Sequence, residues 1–327
     1  MLSRVADSLY WLGRYVERAE NLARMVDVNH YNSLDSFPLR DYSDNGEWLI
    51  YTTNSQEPYS DLEITLGHPP DINEFILFAD ENPDSVKQCI SQARTNGRMV
   101  RDQISSDMWL ELNSIHLFIK SPEAYNLWQD DPQALLKKVI NFSLLFQGLT
   151  EATNQHDEGW NFMQLAKYIE RADKTSRILD TLTYHVDIKR SDIVSILHSC
   201  SGFSSFYREY RGQVSLSNAI KFLLCSSTFP RSVRFCLRQM DFLLHSISGV
   251  PFGHYSNEAE RITGKLLAQL NYSTSEEIDE SGLHQYIDTI QIELNEIGQN
   301  IFETYVLIPS EYQESTAINQ QPGQQAQ

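Results

Sequence analysis

Apolar residues recur at three- and four-residue intervals along most of this chain, the spacing expected of helices with one buried face. Over Ser3 to His30 the pattern puts Leu12, Val16, Ala19, Ala23 and Val26 on one side of a helix. A second segment, Glu158 to His185, has the same character, and Asp157 stands where an N-cap is needed. Leu135 to Phe146 and Gly282 to Val306 predict further helices. Pro83 and Pro230 each introduce a long periodic stretch and read as first-turn residues, where a missing N–H costs little. Between Ser33 and Pro70, the breakers Pro38, Asn45-Gly46, Pro58 and Pro69-Pro70 predict short helices and loops. Alternating β patterns are weak, and Leu49-Ile50-Tyr51-Thr52 is a stretch that could be misread as a short strand. From Ser310 the sequence SEYQESTAINQQPGQQAQ offers little to bury, so 310–327 reads as a disordered tail. The fold class predicted is all-α, a multi-helix bundle.

The polar positions carry a repeat. Leu9 to Asp27 (LYWLGRYVERAENLARMVD) aligns without gaps to Phe162 to Asp180 (FMQLAKYIERADKTSRILD), an offset of 170 − 17 = 153. Leu, Tyr, Glu, Arg, Ala, Arg and Asp recur at matched places, and pairs such as Gly13/Ala166 and Glu20/Asp173 differ mildly. A second match sets Pro83-Asp-Ser85-Val86 and Cys89 against Pro230-Arg-Ser232-Val233 and Cys236, at an offset of 230 − 83 = 147. Duplication explains both. The domain plan is a first helical repeat, 1–150, and a second, 151–309, forming one integrated domain about a pseudo-twofold axis. The helices bearing YVERAE and YIERAD are expected to pack together at its centre.

Charge narrows the function classes. With 26 basic and 44 acidic side chains the net charge is −18, which argues against nucleic acid or an anionic membrane as partner. At 41% hydrophobic and 11% aromatic, the composition is that of a folded core. The four cysteines show no CxxC spacing, which fits a reducing compartment and no structural zinc. No apolar run approaches the roughly 20 residues of a membrane span, and charges interrupt the N-terminal segment where a signal peptide would be apolar. A cytoplasmic location is expected.

Candidate chemistry lies on the repeated helices. Glu17, Glu20, Arg24 and Asp27 share a stripe that Tyr10 and Arg14 extend, and Lys167, Glu170, Asp173, Arg177 and Asp180 repeat it. With Tyr15, Arg18, Tyr168 and Arg171 these form the candidate polar cluster. The simplest reading is a charge ladder along a solvated or half-buried face. A second is a bidentate Arg–carboxylate network tying the halves together. A third is a carboxylate site for catalysis or for Mg²⁺ or Mn²⁺. A ferritin-like dimetal site needs Glu-x-x-His, which does not occur, and no metal ligand is assigned. Arg94, Arg98 and Arg101 make a basic stripe whose counterparts are Asp241, His245 and Ser248, so they are candidates for gripping a carboxylate or phosphate. The competing reading pairs them with the acids of the first helix. Trp109 and Asn113 read as core and helix contacts, and Cys89 and Cys236 as core. There is no P-loop, no GxGxxG after a strand and no GxSxG elbow, so catalytic residues and cofactors remain unassigned.

The segments LSRVADSLYWLGRYVERAENLARMVD, NPDSVKQCISQARTNGRMVRDQIS, MWLELN and DEGWNFMQLAKYIERADKTSRILD together resemble the bacterial alpha-E family. The resemblance covers the chain to about residue 309; Gly97 departs from the usual alanine of ARxNAR but leaves Arg94, Asn96 and Arg98 in place. It implies an all-helical domain associated with circularly permuted ATP-grasp proteins and transglutaminase-like peptidases. By that resemblance the protein is an accessory of an ATP-grasp amide-bond ligase system that makes or modifies small peptides. It transfers no catalytic residue. The alternative is an enzyme with a carboxylate-rich, Mg- or Mn-dependent site between the repeats.

Overall fold

A computed structural model describes residues 1–35, 46–184, 187–273 and 282–307. Fifteen α-helices account for most of them, and no strand occurs among the described residues. In chain order they are α1 Ser3–Asp35, α2 Glu47–Thr53, α3 Gln56–Leu66, α4 Ile72–Phe78, α5 Val86–Met99, α6 Ser106–Ile119, α7 Pro122–Asp130 and α8 Pro132–Thr153. There follow α9 Glu158–Asp180, α10 Arg190–Ser199, α11 Phe203–Glu209, α12 Leu216–Ile220, α13 Val233–Ser248, α14 Glu258–Tyr272 and α15 Leu283–Phe302.

Local sequence sets the starts of these helices. Asp71, Ser85, Ser105, Asp131, Asp157, Ser215, Ser232 and Asn257 each accept the backbone N–H three residues on. Each such cap contributes about 1 kcal/mol by satisfying an otherwise orphaned donor. Gly249 closes α13 in the left-handed region at φ 73°, a conformation that costs glycine nothing.

Long α1 and α9 form the spine. α1 packs along α9, α5 and α8, while α9 packs along α13 and α15 as well as α1. The predicted apolar stripe of α1 is fully buried: Leu12, Val16, Ala19, Ala23 and Val26 all lie in the core. α6 and α8 close one side and α14 and α15 the other.

Two local expectations need correction. Pro83 and Pro230 lie in turns outside the helices, because Ser85 and Ser232 take the N-cap positions of α5 and α13. α15 ends as an α-helix at Phe302 and continues as a wider π-type turn, Glu303–Leu307. Leu49 to Thr52 is, as expected, not a strand: it is helical within α2, where Leu49, Ile50 and Thr52 are buried together. His185 and the tail at 310–327 lie outside the described residues. No helix among the described residues is long and apolar enough to cross a membrane.

Candidate functional site

The polar cluster is centred where α1 meets α9. Each helix presents a Glu-Arg step to the other, and the steps engage reciprocally. Arg171 Nε and Nη2 donate to Glu17 Oε1 and Oε2 at 2.9 and 2.7 Å. In the opposite sense, Arg18 Nε and Nη2 donate to Glu170 Oε1 and Oε2 at 2.8 and 3.0 Å. Two fork-on-fork pairs thus clasp the spine, the strongest geometry available to a guanidinium and a carboxylate. Each arginine also lies over the tyrosine three residues before it: Arg18 is 5.7 Å from the Tyr15 ring and Arg171 is 5.8 Å from that of Tyr168.

Neighbouring side chains saturate the remaining acceptors. Glu170 receives Arg14 Nε at 2.5 Å, and Arg14 Nη1 donates to Tyr10. Glu17 takes a further ion pair from Arg231 at 2.9 Å and a bond from Gln147 at 3.0 Å. Glu20 is held by Arg24 at 2.9 Å, Arg231 at 2.5 Å, Ser143 at 2.7 Å and Gln147 at 3.1 Å. Asp84 closes the other end by accepting from Arg18. Glu17, Glu20 and Glu170 are at most 1% exposed. The solvated charge ladder is therefore ruled out for these three, although ladder pairs survive inside the network as Arg24–Glu20 and Arg177–Asp173.

Burial alone would raise the pKa of Glu17, but Arg171 and then Arg231 outweigh it and hold it down to about 2. At Glu170 burial is likewise overcome by Arg18 and Arg14, which leave it well below the usual carboxylate range. Both groups bind protons less readily folded than unfolded. The stability they contribute is complete above the ordinary glutamate value of 4.5 and is lost as pH falls through about 2. Urea midpoints measured between pH 5 and 2 are expected to fall more steeply for the wild type than for a Glu17→Gln variant; parallel curves would contradict this.

Such carboxylates are poor general acids or bases near neutral pH. A divalent cation would have to displace guanidiniums already in place. Among the described residues no group of three or more His, Cys, Asp or Glu side chains is arranged to hold a metal. Beside Glu17, the cavity lined by Gly13, Gln147, Gln164 and Lys167 has a volume of about 20 Å³, room for one water and not for a substrate.

Lys167 is the titratable exception. Burial, helped by Arg171 and opposed by Glu17, pushes its ammonium down to about 8, and Gln164 accepts its hydrogen bond. Unfolded, the same lysine keeps its proton to near 10.5. Between these values the unfolded chain binds more protons, so stability is expected to rise with pH from 8 to 10.5 relative to a Lys167→Met variant. A constant difference between the two proteins over that range would show that Lys167 does not titrate there.

Not every candidate joins the clasp. Asp173 is buried beside Arg177 at 2.9 Å and Lys174 at 3.5 Å. Asp180 lies further along and meets His284 at 2.8 Å. Asp27 is half-buried towards the same end of α1, its carboxyl raised by burial. Arg94, Arg98 and Arg101 do not pair with the acids of α1, and no carboxylate among the described residues lies within ion-pair distance of them. Instead Arg94 Nε donates to Asn113 at 2.8 Å, and Arg94 and Arg101 both approach the Trp109 ring, at 5.6 and 5.7 Å. Arg98 is exposed. Trp109 and Asn113, read as packing contacts, thus orient the basic stripe.

Sequence reasoning missed Arg231, Asp84, Ser143 and Gln147. Arg231 and Asp84 occupy the variable position of the repeated Pro-x-Ser turn, each delivered to the clasp just before a helix begins. Ser143 and Gln147 are one turn apart on α8 and carry no motif.

Fold and cluster define an all-helical protein whose two central helices are locked by crossed Glu-Arg steps. The chain belongs to the Alpha-E family, described as a predicted alpha-helical domain with a conserved ER motif, which matches residues 1–306. An uncharacterised protein of Mycobacterium bovis is 24% identical over 338 residues, covering 94% of this chain and 37% of that protein. Uncharacterised proteins from two strains of Mycobacterium tuberculosis are similar at 24% and 23% with the same coverage. The chain thus spans little more than a third of the length of these relatives. No solved structure matches it.

Proposed function

We propose that this chain is a non-catalytic helical component working with an ATP-grasp amide-bond ligase in the cytoplasm, in a system that makes or modifies small peptides. The observation that carries the reading is the closed clasp. The side chains most distinctive of the sequence, Glu17, Arg18, Glu170 and Arg171, are consumed in holding α1 to α9 and present no free reactive group. The sequence also lacks a phosphate-cradling loop of its own. In the mycobacterial relatives the matching part is joined to a longer polypeptide, which supports an alpha-E domain acting beside other domains. The −18 charge suits a basic partner surface, and a transglutaminase-like protein is the second candidate partner. Origin by duplication of halves 1–150 and 151–309 is part of the same reading, supported by the reciprocal use of matched residues. The alternative, a Mg- or Mn-dependent carboxylate enzyme, is disfavoured by the arginines that saturate its carboxylates.

Within this reading Arg94, Arg98 and Arg101 grip a carboxylate or phosphate of the partner system. Their support is three guanidiniums without a carboxylate counterion among the described residues of an acidic protein. The test mixes the pure chain with an ATP-grasp ligase from the same organism. Co-purification and a changed rate of ATP-dependent amide formation are expected, with both effects weakened in an Arg94→Gln/Arg101→Gln variant. Failure to co-purify, together with unchanged ligase turnover, would overturn the proposal.

A further inference from the structure

A cleft of about 330 Å³ opens between α1, α9 and α15 on the side of the clasp away from Arg231 and Gln147. That volume is at the small end of ligand sites, which run from roughly 300 to 1,000 Å³. Its floor and walls are apolar and aromatic: Tyr10, Trp11, Ile169, Leu294 and Phe302. Two charged side chains line it, Arg14 and Asp173. Asp173 Oδ1 already accepts from Arg177 Nε at 2.9 Å, while Oδ2, 3.5 Å from the Lys174 ammonium, takes no hydrogen bond among the described residues. Arg14 and Asp173 attract each other, since Asp173 is among the groups that raise the Arg14 pKa, yet no direct ion pair joins them. Arg14 spends Nε on Glu170 and one Nη1 hydrogen on Tyr10, so three of its five N–H donors are uncommitted. Asn295 and Gln299 stand exposed at the mouth.

A cation and an anion set apart in one small apolar cleft are complementary to a molecule carrying both charges on substituents of a single carbon. We propose that this cleft binds a free α-amino acid with an apolar side chain, its carboxylate on Arg14, its ammonium towards Asp173 and its side chain against Trp11, Leu294 and Phe302. Arg14 is suited to this because a guanidinium can hold a carboxylate through two parallel N–H donors. At about 330 Å³ the cleft is too small for an extended peptide. This site goes beyond the ligase partnership and stands on the isolated chain, so either can fail without the other.

The probe is L-phenylalanine, with L-leucine and L-methionine beside it, measured by saturation-transfer NMR and calorimetry on the full chain. 3-Phenylpropionate, which lacks the ammonium, and phenethylamine, which lacks the carboxylate, are each expected to bind at least about tenfold more weakly, the effect of losing one charge-assisted contact. Gly298→Leu is the blocking variant. A Cβ there meets Ile169 and Tyr10 only at ordinary distances of 3.5 and 3.8 Å, so the helix accepts it while the longer side chain fills the cleft. It is expected to abolish binding with no loss of thermal stability. Arg14→Gln, which leaves Glu170 paired to Arg18, should bind L-phenylalanine no better than wild type binds phenethylamine. No binding of any of the three amino acids at millimolar concentration would overturn the proposal. So would binding that survives Gly298→Leu, or single-headed analogues that bind as well as the amino acid.

Discussion

Glu170→Ala is expected to lower the unfolding free energy by about 3–5 kcal/mol, a large part of the stability of an ordinary domain. The cost comes from what remains. Arg14 and Arg18 both donate to this carboxylate from largely buried positions, and without it these two guanidiniums, one turn apart on α1, lose their shared counterion at a buried helix interface. Glu17→Ala should behave alike, because it takes the carboxylate from Arg171 and leaves Arg231 with Glu20 alone among the described carboxylates. Replacing a whole pair by apolar residues of similar shape is a different experiment and can come out near neutral; the penalty belongs to breaking the pair. Urea unfolding of each variant provides the measurement, with Glu258→Ala as control, since the exposed Glu258 pairs only with exposed Arg261. A loss below about 1 kcal/mol at Glu170, the size of a surface pair, would show that the clasp is hydrated and weak.

Gly13→Leu carries the second large effect. α1 and α9 approach closely here: a Cβ on Gly13 would lie 2.7 Å from the Met163 carbonyl oxygen and 3.0 Å from the Ala166 Cβ. Backbone cannot yield as a flexible side chain does, so the helices must separate and the forks at Glu17 and Glu170 lose their alignment. About 3 kcal/mol of destabilisation is expected, the upper part of the range for overpacked cores, despite the roughly 1 kcal/mol that leucine gains over glycine in helix propensity. Gly148→Leu on α8, where nothing lies within 4 Å, should be neutral or slightly stabilising. Thermal midpoints of the two variants check the contrast; equal midpoints would mean that the crossing is looser than described.

Gly13 and Ala166 are also matched positions of the repeat, and this explains why so much of the spine was legible. A crossing of two like helices needs small residues where the backbones meet and opposite charges one turn on. Both requirements leave marks at a fixed offset. The apolar stripe of α1 was readable for the same reason that it is buried: one face of a regular helix meets the core. What the sequence concealed was the sign of the supporting charges. Asp84 and Arg231 occupy equivalent turns, yet one faces the arginine of its clasp and the other faces Glu17 and Glu20. Opposite residues therefore serve equivalent positions, and a search for likeness passes over them. The basic stripe misled in another way. Arg94 and Arg101 turn to Trp109 and Asn113 of α6, a choice fixed by tertiary packing that spacing along one helix cannot express.

The most direct test of the clasp is a double-mutant cycle on Glu17→Met and Arg171→Met, read by urea unfolding at neutral pH. Residues in contact within one ionic network couple by about 0.5–3 kcal/mol, whereas independent sites add to within about 0.5 kcal/mol. A bidentate pair buried between α1 and α9 predicts coupling of at least about 2 kcal/mol, with the double variant clearly more stable than the sum of the single losses allows. Losses that simply add, to within about 0.5 kcal/mol, would contradict the account.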